Sequence, residues 1–158
     1  MFRVNKLTDY GIVLLAHVAR SPEHTQHTAR SLSEETSLPL PTVSKLLREL
    51  HDRGLLASQR GVHGGYSLAQ DADEISVADI IAALEGPIGF TECSTEPGSC
   101  EMEPSCAIRL NSQVIGDALR EALEKVTLSD LNRRMPRAAA RNRSVIVPSI
   151  SLGPEGAR

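Results

Sequence analysis

Aromatic residues are scarce in this sequence. Its 158 residues include no Trp, two Tyr and two Phe. Proteins that bind single-stranded nucleic acid stack the bases on aromatic side chains, and so few aromatic residues cannot form such a platform. Any binding of nucleic acid must therefore depend on charge and on the geometry of helices.

Long apolar runs and the features of a signal peptide are also missing. No apolar run reaches the ~18 residues that a membrane-spanning helix needs. Residues 1–20 lack the compact apolar stretch and the small-residue cleavage site of a signal peptide. The composition, with 41% hydrophobic and 23% charged residues, is that of a globular protein with a sizeable core. We therefore expect a cytoplasmic protein without membrane contact.

Cysteine is rare and is confined to one acidic segment. Residues 71–108 hold nine Asp and Glu, no Lys or Arg, and all three cysteines, which are Cys93, Cys100 and Cys106. An odd number of cysteines in a cytoplasmic chain argues against a disulfide framework and favours a metal site or reactive thiols. Residues 1–70 carry eight Lys and Arg against six Asp and Glu, so the net charge of -3 is unevenly distributed.

The pattern of apolar residues, caps and glycines predicts a mainly α fold with a small β-hairpin. We expect helices over residues 6–19, 28–35, 41–53, 76–84 and 107–126, and strands over residues 55–60 and 66–69. This order corresponds to a winged helix-turn-helix DNA-binding domain (1–70), then a linker helix, a cysteine loop and a dimerisation helix (71–131). We expect residues 132–158 to be a disordered tail, because the Ala/Arg-rich stretch after Pro136 shows no usable period.

The predicted helix over residues 41–53 is amphipathic. Its apolar residues recur at spacings of three and four, which places a polar face on the opposite side. In a helix-turn-helix such a face enters the major groove, where Lys and Arg donate to guanine or phosphate and Ser and Thr contact either. The candidates are Thr42, Ser44, Lys45 and Arg48. Taken alone, this face could equally be the solvated surface of any amphipathic helix.

The glycine-rich segment that follows favours the DNA-binding interpretation. Arg60 and His63 lie at a turn whose three glycines allow the backbone to approach a phosphate closely. A plain hairpin turn would explain the glycines as well. Two helices followed directly by a basic hairpin are together typical of a winged helix-turn-helix, although such a domain can also bind proteins.

The cysteine spacing, Cys93-x6-Cys100-x5-Cys106, favours a metal or cluster site over free thiols. The neighbouring residues are acidic, which does not suit buried structural cysteines. Thiolates bind iron–sulfur clusters or zinc once a fourth ligand is supplied, and the spacing differs from the Cys-x2-Cys knuckle of many zinc sites. A thiol redox switch is the remaining alternative, although an acidic surrounding without basic residues does not favour reactive thiols.

Several motifs in order resemble one family, the IscR/NsrR-type bacterial winged-helix transcription regulators, and most closely the regulators of SUF-system iron–sulfur cluster assembly. The resemblance covers residues 1–131. It is carried by Leu7-Thr8-Asp9-Tyr10-Gly11, Leu38-Pro39-Leu40-Pro41-Thr42-Val43-Ser44-Lys45-Leu46-Leu47, Arg60-Gly61-Val62-His63-Gly64-Gly65-Tyr66-Ser67-Leu68, residues 75–85 and the three cysteines.

The resemblance implies a homodimer that binds palindromic double-stranded operator DNA and represses iron–sulfur assembly genes. The three cysteines would ligate an iron–sulfur cluster, [2Fe–2S] rather than [4Fe–4S], which tunes DNA affinity, and Arg60 would be the wing arginine. The long C-terminal helices would cross at an apolar seam. Its positions are Ile108, Ile115, Leu119, Ala122 and Val126.

The fourth cluster ligand departs from the family pattern. A histidine follows the last cysteine by three residues in the IscR type, whereas Arg109 stands there in this chain, and a guanidinium cannot ligate iron. The nitric-oxide-sensing branch implies Asp9, donated by the partner subunit. Asp9 could instead simply interact with the dipole of its helix. Glu92, Glu101 and Glu103 are lesser candidates.

Two other classes of function remain open at this point. A metal-dependent enzyme or redox protein would use the cysteines for chemistry, but no histidine lies among them to form an acid–base pair, so we expect no enzyme. A zinc-stabilised protein-interaction module would use the same fold. An absorption spectrum of anaerobically purified protein separates these classes.

Overall fold

The computed structural model describes residues 4–22, 24–89 and 109–134, together with residues 91, 95, 98, 101, 105 and 106. Within these residues the elements, in chain order, are six helices and one hairpin. They are α1 (Lys6–Val18), α2 (Ala29–Thr36), α3 (Leu40–Asp52), β1 (Leu56–Gln59), β2 (Gly65–Leu68), α4 (Val77–Glu85), α5 (Arg109–Glu124) and α6 (Leu128–Arg134). The mainly helical fold with a two-stranded antiparallel hairpin is confirmed.

Side-chain caps fix where the helices start. Thr28 caps α2 and Ser76 caps α4, as the sequence predicts, and each forms a reciprocal capping box with the residue three positions later. Asn5 caps α1 by accepting hydrogen bonds from the amides of Leu7 and Thr8, at 2.8 and 3.0 Å. The first turns of these helices therefore have well-satisfied backbone donors.

One hydrophobic core holds the helices together. Its fully buried members come from α1, α2, α3 and α4, from Ile75 just before α4, and from the first residue of α6, Leu128. Helix α6 is tied to the start of α4, because the amide of Leu128 donates to the carbonyl of Ile75 at 2.8 Å and that of Val77 to Val126 at 2.8 Å. The segments before and after residue 70 therefore share one core.

The C-terminal part differs from the sequence-based expectation. The helix predicted over 107–126 is described from Arg109 and ends at Glu124, while residues 107 and 108 lie outside the described residues. A further helix, α6, follows it. Thr127 and Asp130 form the capping box of α6, with the amide of Asp130 donating to the Thr127 hydroxyl at 3.1 Å. Residues 132–134, expected at the start of a disordered tail, are helical. The rest of that tail, 135–158, lies outside the described residues.

Helix α5 exposes an apolar face. Val114 is 67% exposed and Ile115 is 46% exposed, while Leu119, placed in the seam by the sequence, is half-buried within the chain. Ala118, Ala122 and Val126 are exposed beside them. The exposed apolar stripe therefore runs along Val114, Ile115, Ala118 and Ala122 of α5 and ends at Val126, two residues beyond the helix. Ile108 lies outside the described residues.

Candidate DNA-binding interface and cysteine segment

Helix α3 buries one side and presents the other to solvent. Val43, Leu46, Leu47 and Leu50 are completely buried. Ser44, Lys45 and Arg48 are exposed and Thr42 is half-buried, so the predicted polar face points outward. Pro41, in the first turn of α3, fits because a residue there needs no hydrogen-bonded amide. The helix can therefore enter a groove without losing any of its core contacts.

The turn between α2 and α3 fixes the position of the outward face. Ser37 adopts the left-handed conformation, with φ of 58°, and ends α2. The Ser33 hydroxyl donates to the carbonyl of Leu38 at 2.7 Å, and that of Thr36 donates to Leu32 at 2.5 Å. The first of these bonds spans the turn, and the second lies within the last turn of α2. The pair α2–α3 has the arrangement of a helix-turn-helix.

The hairpin after α3 forms a wing. Ser58 pairs with Tyr66 and Gln59 with Gly65, and the chain reverses between them. Gly61 has φ of 118°, which an L residue rarely adopts, and accepts a hydrogen bond from the amide of Gly64 at 3.0 Å. Arg60 and His63 are exposed at this turn, as is Val62, which is 98% exposed. The wing tip thus exposes an arginine and a histidine on either side of the apolar Val62.

Residue 27 adds a short third pairing to the wing. The amide of His27 donates to the carbonyl of Tyr66 at 2.9 Å, and the amide of Tyr66 donates back to His27 at 2.8 Å. The Gln26 side chain also donates to the Ser67 hydroxyl at 3.3 Å. A single-residue bridge leaves no periodic pattern, and the sequence did not predict this anchor.

The ring of His27 is buried. The residue is 7% exposed, and its ring lies edge-on to that of His17 with centroids 6.1 Å apart. Its Nε2 atom has no hydrogen-bond partner among the described residues. Burial lowers the pKa of His27; the nearby Glu35 carboxylate opposes this and His17 reinforces it. His17 itself pairs with Glu35 at 2.6 Å.

The predicted cluster ligands are only partly described. Cys106 is half-buried, and Asp9 is exposed in the first turn of α1. Cys93 and Cys100 lie outside the described residues, as do Glu92 and Glu103, while Glu101 is exposed. Within the described part of the chain, no three His, Cys, Asp or Glu residues are grouped to hold a metal ion.

The start of α1 lies beside the end of α4, from which the chain enters the cysteine segment. The amide of Asn5 donates to the Glu85 carboxylate at 3.0 Å. At Gly11 the backbone of α1 passes close to the end of the Leu84 side chain, which a Cβ there would meet. Asp9 therefore lies on the helix that packs against the entry to the cysteine segment. Thiols and carboxylates are ligand types that suit a cluster.

These features define a winged helix-turn-helix DNA-binding protein: the outward polar face of α3, the basic wing, and the buried residues that hold both in place. Residues 4–134 match the family Rrf2, described as "Iron-dependent Transcriptional regulator". This chain belongs to the Rrf2 family and is a transcriptional regulator, not an enzyme. No helix in the described ranges is long and apolar enough to cross a membrane.

Individual relatives agree with this assignment. The HTH-type transcriptional regulator CymR of Bacillus subtilis is 31% identical over 122 residues, 77% of this chain and 83% of that protein. The HTH-type transcriptional regulator IscR of Cronobacter sakazakii is 30% identical over 122 residues, 77% of this chain and 75% of that protein. The solved structure of CymR, called the global cysteine regulator of B. subtilis, superimposes with a TM-score of 0.67 at 29% identity. The superposition covers 86% of this chain and all of that one.

Proposed function

We propose that this protein is a dimeric regulator that senses an iron–sulfur cluster and represses genes of suf-type iron–sulfur cluster assembly in the cytoplasm. The observation that carries the proposal is the presence of three cysteines in an acidic segment next to a winged helix-turn-helix. The description of the family as iron-dependent and the similarity to IscR support it.

In this proposal α3 and the wing divide the work of DNA recognition. Lys45 and Arg48 are exposed near the middle of α3 and would donate to guanine edges or phosphates in the major groove. Thr42 and Ser44 would contact bases or phosphates from the first turn. Arg60 and His63 would bind the backbone or the adjacent minor groove from the wing. Each subunit would contact one half of a palindromic operator.

The exposed apolar stripe of α5 is the proposed dimer interface. An isolated chain would leave these apolar side chains in water, which is unfavourable. Burying them against a second copy would remove that apolar surface from water. The opposite side of α5 is charged and internally paired, with Arg120 lying 2.9 Å from Asp117 and 4.0 Å from Glu124. This polarity orients the helix, with the apolar stripe toward the partner and the charged side toward solvent.

The proposed cluster ligands are the thiolates of Cys93, Cys100 and Cys106 and the carboxylate of Asp9 of the partner subunit. When bound, a cluster, here proposed as [2Fe–2S], supplies a charge and a set of bonds that depend on iron supply and redox state. Arg109 stands where the histidine that is the fourth ligand in the IscR type would be, and it contributes no lone pair. The contacts of Asn5 and Gly11 with the end of α4 would then connect the cysteine segment to the DNA-binding helices.

The direct test uses protein purified without oxygen. Wild type is expected to show visible sulfide-to-iron absorption, and replacing any one of the three cysteines with Ala should abolish stable cluster retention, because no other cysteine is available. Asp9→Ala should retain a cluster with an altered spectrum and a shorter lifetime in air.

Each other result has a definite meaning. Colourless protein that contains zinc would favour a zinc-stabilised interaction module, and colourless protein with three titratable thiols would favour a thiol redox sensor. Identical spectra and lifetimes for wild type and Asp9→Ala would remove Asp9 from the site and assign its role to the helix dipole.

A further inference from the structure

His51 connects the recognition helix to the wing. It lies in the last turn of α3, and its Nδ1 atom is 2.9 Å from the carbonyl oxygen of Leu56 in β1. Its Nε2 atom is 3.3 Å from the hydroxyl of Ser58. A carbonyl can only accept, so Nδ1 carries the proton, and in the neutral ring Nε2 accepts from Ser58.

The same ring also contacts the second strand. The His51 and Tyr66 rings are edge-on, with centroids 6.3 Å apart and an angle of 72° between their planes. Tyr66 lies directly opposite Ser58 in the hairpin, so the two residues share one face of the sheet. His51 therefore meets that face at both strands.

The hairpin needs such support, because an isolated pair of strands is marginally stable in water. Only Leu56 of β1 is buried, while Ala57, Ser58 and Gln59 are exposed. On the far edge, β2 is paired with His27 through two backbone hydrogen bonds. His27 thus restrains β2, and His51 restrains β1 and the inner face.

We propose that His51 is a positioning residue, which holds the wing at a fixed angle to α3 and thereby sets how well Arg60 reaches the operator. Arg60 lies two residues beyond Ser58, so a small rotation of the strand at Ser58 displaces the whole wing tip. This inference rests on the proposed DNA-binding function of the wing. It assigns His51 no DNA contact of its own.

A thermodynamic cycle tests the proposal. The full chain is purified anaerobically as wild type, His51→Ala, Arg60→Ala and the double variant, and dissociation constants are measured by fluorescence anisotropy on the DNA directly upstream of its own gene. His51→Ala should weaken binding about tenfold in the wild-type background, the scale of one well-formed polar contact. In the Arg60→Ala background it should weaken binding less than about twofold, because the contact that it positions is already gone.

A rescue variant separates positioning from general support of the fold. The amide of His51→Asn can replace Nδ1 as the donor to Leu56, so this variant should regain most of the lost affinity. A general loss of stability would lower affinity equally in both backgrounds of the cycle, and thermal unfolding of each variant measures it directly. If His51→Ala does not fold, His51→Gln, whose amide does not match the Nδ1 position, takes its place in the cycle.

The outcomes distinguish failure of this inference from failure of the proposed function. Full additivity of the two variants, or unchanged binding by His51→Ala, would overturn the positioning role. Unchanged binding by Arg60→Ala would instead refute the proposed role of the wing in DNA binding, whatever His51 does.

Discussion

Gly65→Ala should loosen the wing by forcing β2 away from residue 27. A Cβ at position 65 would lie 2.7 Å from the carbonyl oxygen of His27, 2.9 Å from its carbonyl carbon and 3.0 Å from its nitrogen. All three are backbone atoms, so no side-chain rotation relieves the contact. Ordinary contact begins near 3.4 Å, and the two segments must separate by several tenths of an ångström.

The magnitude follows from the hydrogen bonds that this separation stretches. The His27 and Tyr66 backbones exchange two bonds, of 2.9 and 2.8 Å, and each contributes about 0.5 to 1.5 kcal/mol net. Replacing Gly by Ala in a strand also reduces the conformational entropy of the unfolded chain, which stabilises the folded state by about 0.5 to 1 kcal/mol. The free energy of unfolding should therefore fall by about 1 kcal/mol.

Urea unfolding and operator titration of the same preparations test this reasoning. Gly65→Ala should lower the urea midpoint and weaken operator binding through displacement of Arg60 and His63. Protein concentration is held equal, because the stability of a dimer depends on it. Gln59→Ala is the matched control, since Gln59 faces Gly65 across the hairpin and is exposed, and it should change stability by less than about 0.5 kcal/mol. A Gly65→Ala protein as stable as wild type, with the same affinity, would refute the close-approach argument.

Three further predictions concern the recognition helix, the dimer and the buried histidine. Lys45→Ala or Arg48→Ala should cost about 1 to 3 kcal/mol of operator binding without changing thermal stability, and unchanged gel retardation would reject the assignment of α3. Ile115→Asp should yield monomers in sedimentation, whereas Glu124→Ala on the charged side should remain dimeric; a dimeric Ile115→Asp would reject the apolar stripe as the interface. Because the pKa of His27 is lowered in the folded state, the unfolded state binds its proton more readily. The free energy of unfolding should therefore decrease as pH falls below about 6.5 and level off below the folded pKa, and this slope should be absent in His27→Gln.

The sequence predicted the DNA-binding half of the fold closely. Leucines at helical spacing and a flanking glycine placed α3 within one residue of its limits, at Leu40–Asp52. The glycine-rich turn and short β-prone runs located the hairpin equally well. These elements depend on local patterns, and the outward position of Lys45 and Arg48 follows directly from the buried positions of Leu46, Leu47 and Leu50.

What the sequence did not reveal depends on contacts between distant segments. Nothing near His27 indicates that it pairs with β2, and nothing near His51 indicates that its ring meets both strands. In α5 the periodicity identified an apolar stripe but not which side faces α4, so Leu119 proved half-buried and Val114 exposed. Helix α6 was missed, although Thr127-x-x-Asp130 is a capping signal. The cysteine spacing defines the kind of donors, while the arrangement of a cluster depends on how the segment folds.

Anaerobic footprinting of the DNA upstream of its own gene, with holo and apo protein at equal dimer concentration, tests the central claim most directly. The account predicts a symmetric footprint with two halves about one helical turn apart, whose dissociation constant differs at least about tenfold between the two forms. It also predicts that this difference disappears in Cys106→Ala. Equal protection by holo and apo protein, with wild type and Cys106→Ala indistinguishable, would contradict a cluster-sensing regulator and leave a DNA-binding protein that responds to another signal.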